Sequence, residues 1–390
     1  MHIEGRLQID LYPGAGQNRV RILSSRPLRA ARIFEGKQPL EVLQQLPLLF
    51  SVCGIAQAAA AMQAFRQALD IAAEAPADAA RSLLVQMETA REHLWRILVD
   101  WPAFLDEPAG ARQAAPLHAL LPVLRKALFV NGDAFSLQSE LQVDDSTLQA
   151  QIESLEGLLA GLVFGESPAV WQRISHAAAL HDWCLGSESI AARLLRNVSD
   201  RGWQTIGAVD SGFLPALPEA GLNRQLAGPD ADRFIAEPLW EDRACETTPL
   251  ARHGDLPLLR SLCREYGNGL QTRLVARLVE LAQIPAVMRA LLAKTDGARP
   301  ENRNQALPAG VGIGQVEAAR GRLIHRVVLG DGVVQCYQIL APTEWNFHPG
   351  GVVARGLSRL PQADAAAMQR QAAMLINTVD PCVGYDLQVH

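Results

Sequence analysis

The chain has 390 residues, 49% of them hydrophobic and 20% charged, with a net charge of -5. These values belong to an ordinary soluble globular protein with room for a sizeable core, as one large unit or two smaller ones. The acidic balance and the lack of a basic run exclude nucleic acid and an anionic membrane surface as partners.

In chain order, Ile3, Leu7, Ile9 and Leu11 mark a strand. Pro13-Gly14-Ala15-Gly16 marks a turn, and Val20-Arg21-Ile22-Leu23 a return strand. The pattern from about 40 to 300 is mostly helical. Ile55 to Glu74 is Ala-rich and apolar on several faces, which predicts a central helix. Ala80 to Val99 and Gln113 to Phe129 follow as helices, the second interrupted by Pro122. Ser146-Thr147-Leu148-Gln149 reads as a capping box, with Leu148, Ile152, Leu155 and Leu159 at helical spacing behind it. Pro168 to Trp183, Ser187 to Gly202 and Leu256 to Lys294 read as further helices, and the stretch 203–245 as irregular connection. Arg322 to Leu329 and Val333 to Leu340 flank Gly330-Asp331-Gly332, a hairpin signal, and a last helix spans Gln362 to Thr378.

The expected fold class is mainly α with small antiparallel β-sheets, an α+β body closed by contact between its two termini. The organisation reads as a single unit over 1–390. It has an N-terminal hairpin in 1–30, a helical body over 40–300, a hairpin region over 315–350, and a C-terminal helix and tail over 362–390. The polar, strand-like N-terminus predicts no signal peptide. The longest apolar stretch, Leu46 to Met62, contains Ser51 and Gln57 and falls short of a membrane span. Six scattered cysteines form no zinc or disulfide spacing, so free thiols in a reducing cytoplasm are expected.

Two of those cysteines stand apart. Cys53 lies in Val52-Cys53-Gly54-Ile55-Ala56, and Cys382 in Asp380-Pro381-Cys382-Val383-Gly384-Tyr385. Each looks like half of a Cys-x-x-Cys pair whose second cysteine is missing, with Ala56 and Tyr385 in those places. A full pair can bridge two metals or chelate one strongly, so half a pair suggests a weaker or more transient site. Taken singly, each is better explained as a buried thiol acting as a small hydrophobe. Arg320, just before Gly321, is either a surface charge or a set of fixed donors beside a reactive centre. Thr343 is either a turn hydroxyl or a further donor.

Together these pieces resemble the large subunit of nickel-iron hydrogenases, in the right order along the chain. His2-Ile3-Glu4-Gly5-Arg6-Leu7 resembles that family's Arg-Ile-Glu-Gly-His strand, and Val52 to Ala56 its first Arg-x-Cys-Gly-x-Cys. Thr248-Pro249-Leu250-Ala251-Arg252 resembles its Gly-Pro-Leu-Ala-Arg, and Glu317 to His325 its Glu-Ala-Pro-Arg-Gly-x-Leu-x-His. Pro342 to Asn346 resembles its Pro-Thr/Ser-x-Trp-Asn, and Asp380-Pro381-Cys382 the start of its Asp-Pro-Cys-x-x-Cys-x-x-His. The stretch 105–245 is weakly matched.

The resemblance implies a shortened large-subunit fold. It also implies that Cys53 and Cys382 match the terminal nickel ligands, while Ala56 and Tyr385 replace both bridging cysteines. A family histidine a turn after the first pair is Ala60 here. The C-terminal metal-ligand histidine has Gln388 at its position, with His390 two residues late. No C-terminal extension for a maturation protease is expected. Glu4 aligns with the family's proton-gate glutamate and Arg252 reads as structural. His93 and Asp100, at the spacing of a family helix, read as a polar pair.

What remains of the family's site is its iron pocket. There Arg320 and Thr343, with neighbours Ala319 and Pro342, match the positions that meet the iron's cyanide ligands. This combination resembles the HupK/HoxV-type maturation factors, paralogues of the large subunit. It implies a non-catalytic scaffold with Cys53 and Cys382 as metal ligands. Its cofactor would be iron with cyanide and carbon monoxide, held transiently and without nickel. Its partners would be the hydrogenase large-subunit precursor and maturation chaperones. A metal-free structural paralogue of the large subunit in a redox complex is the alternative.

Overall fold

A computed structural model describes residues 5–295 and 307–390, so Glu4 lies outside the described residues. Strands β1 (Leu7–Tyr12) and β2 (Arg19–Ser24) form the expected antiparallel hairpin, with Leu7, Ile9 and Leu11 turned into the core at the period of two that strands impose. The helical body contains α1 (Pro39–Leu49), α2 (Gly54–Ala68), α3 (Ala75–Trp95), α4 (Leu117–Leu128), α5 (Asp145–Leu159), α6 (Ile190–Asp200), α7 (Pro249–His253) and α8 (Leu270–Leu292). Strands β3 (Val311–Ala318), β4 (Gly321–Gly330) and β5 (Val333–Leu340) make an antiparallel sheet, followed by α9 (Pro342–Asn346), α10 (Ala365–Val379) and β6 (Tyr385–Val389).

Helix α2 is the central helix that its Ala-rich sequence predicts, with Ala58, Ala59, Ala60 and Ala61 all buried. Small side chains let β3 lie directly on it. A Cβ added at Gly312 or Gly314 would come within 1.8 or 1.9 Å of the carbonyl oxygen of Ala64 or Ala60. Helix α8 is buried on nearly every face, including Arg273, Arg277 and Glu280. A helix buried all round keeps charged residues only where they are paired.

The termini meet as expected, by a pairing that the sequence did not reveal. β6 runs parallel to β1, with Leu7 opposite Tyr385 and Leu11 opposite Val389. The sheets are therefore not all antiparallel, since the whole chain between β1 and β6 supplies the long crossover that a parallel pair requires. The hairpin around Gly330-Asp331-Gly332 is present, with β3 as an unforeseen third strand.

Other boundaries move. Asp144, not Ser146, caps α5 by accepting from the N–H of Thr147. The helix read over Leu256 to Lys294 breaks at Gly267-Asn268-Gly269, and that over Pro168 to Trp183 splits after Trp171. Helix α4 runs through Pro122. The stretch 203–245 holds two short helices, Glu219–Ala227 and Ala231–Ala236. Among the described residues, no helix is long and apolar enough to cross a membrane.

Candidate metal centre

Cys53 is the N-cap of α2, and Cys382 follows the end of α10 by way of Asp380 and Pro381. The two cysteines meet. Their thiols hydrogen-bond to each other and both line one cavity, with no disulfide formed. The Cys382 thiol is drawn down to about 6. The bond from Cys53 contributes most, then Arg320, Arg26 and the Thr343 hydroxyl, against the opposing effect of burial. Cys53 is pushed well up, first by its bond to Cys382 and then by burial. Near neutrality the pair therefore holds one proton, with Cys382 as thiolate and Cys53 as donor.

Thr343 stands in the first turn of α9 and is 3% exposed. Its hydroxyl oxygen accepts the N–H of Cys382 at 3.0 Å, and its proton turns toward the Cys382 sulfur. Pro342 precedes it, buried at the first helical position, where a missing N–H costs nothing.

Arg320 stands in the tight turn between β3 and β4 and is 3% exposed. Its Nη2 donates to Glu92 Oε2 at 3.1 Å. Its Nε lies 3.1 Å from Asp380 Oδ1 without the alignment of a hydrogen bond, and its buried Nη1 has no partner. Asp380 also meets Arg96 at 2.9 Å and Arg277 at 3.5 Å. Burial alone would raise the Asp380 carboxyl, but the three guanidiniums hold it below its usual value. Asp380 has φ 65, a left-handed conformation that Asp tolerates better than most residues, and it turns the chain into Pro381-Cys382.

The motifs quoted from the sequence interlock around Arg320. The Asn346 amide donates to the carbonyl of Arg320 at 3.1 Å and accepts from the N–H of Thr247 at 2.8 Å. Thr247 in turn accepts from the N–H of Arg322 at 2.9 Å. Gly321, at φ 135, leaves no room for a side chain, since a Cβ there would meet the Thr247 carbonyl at 1.9 Å. Arg252 donates to the Ala319 carbonyl at 3.4 Å, so Ala319 contributes backbone to this seat.

A second chain of bonds orients Cys53. Gln57 donates to its sulfur at 3.7 Å and meets His325 Nε2 through Oε1 at 2.8 Å, while His325 Nδ1 meets the Tyr337 hydroxyl at 2.9 Å. Burial pushes His325 down to about 3, so the ring is neutral. Because Gln57 uses its amide proton on sulfur, His325 carries its proton on Nε2 and accepts from Tyr337. Gln57 sits four residues after Cys53, a spacing that could have revealed it. Glu88 is another residue that the sequence reading missed. Its carboxylate accepts the N–H of Ile55 and of Ala56, each at 2.9 Å, and closes the first turn of α2. Nothing local to residue 88 signals that role.

Other candidates lie apart from the thiols. His93 and Asp100 do not pair. His93 bonds to Glu280, whereas Asp100 takes Arg96 and Asn377, because seven residues put two helical turns, about 10 Å of rise, between them. Arg252 pairs with Glu280 and Glu317, the structural role expected. His390 stacks on Tyr12, 4.2 Å between ring centroids. Tyr385 borders a second cavity on the other side of Cys382, with Arg6, Arg96 and Asp380. Among the described residues, no group of three or more His, Cys, Asp or Glu side chains is arranged to hold a metal. A metal at the thiol pair would therefore have two protein donors.

The architecture is that of a hydrogenase large subunit. The NAD+-reducing [NiFe]-hydrogenase in its H2-reduced state superposes with TM-score 0.63 at 15% identity, over 94% of this chain and 92% of that one. The reduced Ni-Fe-Se hydrogenase of D. vulgaris Hildenborough does so with TM-score 0.63 at 16%, over 95% and 94%. The nickel-dependent hydrogenase family signature matches residues 256–383. The chain is 32% identical to the hydrogenase expression/formation protein HoxV of Cupriavidus necator, over 94% of its own length and 92% of that protein. It is 31% identical to the hydrogenase expression/formation protein HupK of Azotobacter vinelandii, over 100% and 98%. The chain belongs to this HoxV/HupK family of hydrogenase expression/formation proteins.

Proposed function

We propose that the chain is a hydrogenase maturation scaffold. It binds iron bearing two cyanides and one carbon monoxide as cargo, at Cys53 and Cys382, and passes that group to the large-subunit precursor. The observation that carries this reading is the pairing of two half-motif thiols, sharing one proton, beside a buried arginine whose Nη1 has no partner. Soft thiolates suit low-spin iron, and an anionic cyanide is the acceptor that a fixed guanidinium lacks here. When bound, the cargo would supply those acceptors and satisfy the orphaned donor.

The chain's own residues support custody in preference to catalysis. Cys382 is the ready ligand, already ionised near neutrality, and Cys53 joins once its proton leaves. Arg320 and Thr343 meet the cyanides, with Ala319 and Pro342 as the backbone that seats them. Two protein donors hold a metal less firmly than four, which favours release. Delivery proteins and the acceptor large subunit are the partners that this role requires.

Infrared spectroscopy of protein isolated from a maturation-competent host tests it. Cyanide and carbonyl stretches at stoichiometric iron are expected, and a Cys53→Ser, Cys382→Ser double variant should lose them. Their absence from the wild type, or persistence in the double variant, would sink the reading.

A further inference from the structure

The cavity that holds the two thiols has a second guanidinium on its wall. Arg26 follows β2, and its Nη1 donates to Glu344 Oε1 at 2.5 Å. The two side chains are 16% and 9% exposed. Both line the same cavity as Cys53, Gln57 and Cys382. Glu344 is held in place because its other oxygen accepts the N–H of Ala341, the N-cap of α9, at 3.2 Å. Arg26 is held by its backbone. Gly5, at φ 69, lets the chain pass so close that an added Cβ would lie 2.6 Å from the Arg26 Cα. The glycine of the N-terminal motif thus has a task that the motif itself does not announce: it seats Arg26.

Charge decides what this pair is for. Ferrous iron with two cyanides, one carbonyl and two thiolates carries two net negative charges. Arg320 already faces two carboxylates, Asp380 and Glu92. Arg26 faces one, Glu344, and lines the same cavity as both sulfurs. Resting on the scaffold reading above, we infer that Arg26 is a second cargo-binding residue and that Glu344 is its competing seat. With cargo present, the guanidinium donates to an anionic ligand of the iron. On release it returns to the carboxylate. One acceptor replaces another on the guanidinium's N–H groups, and the Glu344 carboxyl, buried and without its partner, takes up a proton from solvent while the guanidinium is away. The exchange would make the pocket hold an anion without leaving a bare buried cation when empty, because an unpaired buried charge is costly. Arg320 cannot exchange in the same way, since its partner Asp380 is shared with Arg96 and Arg277.

Iron retention and infrared spectra of protein from a maturation-competent host test the inference. In Arg26→Gln, loss of iron to an external chelator should be about tenfold faster than in wild type, the scale of one charge-assisted hydrogen bond, and one cyanide band should move. Glu344→Gln keeps an acceptor for the Ala341 N–H, since the Gln amide oxygen can accept it as the carboxylate does, and removes the competing charge. It should lose iron about tenfold more slowly. Slower loss cannot come from a destabilised fold, so this variant stands even if Arg26→Gln is poorly folded. Wild-type bands and wild-type loss rates in both variants would overturn the role of Arg26 and leave the scaffold reading intact. Wild-type protein without cyanide bands would overturn both.

Discussion

His325 Nε2 and Gln57 Oε1 lie 2.8 Å apart, joining residues 268 positions distant in sequence. Through this bond a histidine in the sheet fixes the amide that donates to the Cys53 sulfur at the start of α2. The ring itself is wedged against Tyr337, which packs on Phe34 and Phe65. Gln57→Leu removes the acceptor for His325 and the donor to sulfur while keeping the volume. Leaving one buried donor unpaired should cost about 1–3 kcal/mol in denaturant unfolding.

The pH dependence of stability should carry two opposed contributions. His325 falls to about 3 in the folded protein through burial, below its usual value near 6.5. Its contribution is fully present above about pH 6.5 and is lost as pH falls, because the unfolded chain binds the proton more readily. Glu88 behaves oppositely. Burial lifts it to about 7 against the pull of the Ile55 and Ala56 N–H groups. Its contribution is present below its unfolded value near 4.5 and is lost as pH rises through about 7. Between pH 5 and 6.5, His325→Gln should flatten the gain of stability with pH and Glu88→Gln should steepen it. Each change is bounded by about 1.4 kcal/mol per pH unit. Unfolding titrations across that range check both signs, and like-signed changes would contradict the assignments.

Thiol reactivity should separate Cys382 from its peers. Cys263, Cys336 and Cys382 are all half-buried, but burial raises the first two while the bond from Cys53 leads in lowering the third. In metal-free protein at pH 7, iodoacetamide should therefore label Cys382 first, as read by mass mapping of peptides. Cys53→Ser should slow that labelling, because it weakens the hydrogen bond that stabilises the thiolate.

Glu280 is the hub of a buried ionic network. It accepts from Arg252 at 2.7 and 2.8 Å, from His253 at 3.1 Å, and faces His93 at 2.6 Å. Burial would raise its carboxyl, but Arg252 and the two histidines hold it well below the usual range. Glu280→Ala should destabilise by about 3–5 kcal/mol, since it strands Arg252 without its main partner. The network's contribution should be lost in acid, as pH falls below the unfolded carboxylate value near 4.5 toward the depressed folded one.

Much of this fold is legible in the sequence wherever a signal is local. The hairpin at Gly330-Asp331-Gly332 and the buried Ala-rich α2 follow from turn chemistry and periodicity. The motifs around Arg320, Asn346 and Thr248 also stand in plain view. Local signals fail where tertiary bonds compete. Asp144 outbids Ser146 for the cap of α5, and Gly267-Asn268-Gly269 breaks a helix whose apolar pattern runs on through it. β6 has no local mark, because its partner β1 lies at the other end of the chain.

The sequence by itself determined the chemical inventory: two half-motif cysteines, the arginine and threonine beside them, and the family to which their order points. Only the tertiary structure decided that Cys53 and Cys382 share a proton, that Nη1 of Arg320 is left without an acceptor, and that Arg26, Gln57 and Glu88 belong to the same neighbourhood. The physical reason is that residue type is written locally. Proximity and ionisation depend on which distant segments packing brings together, and on the water that packing removes.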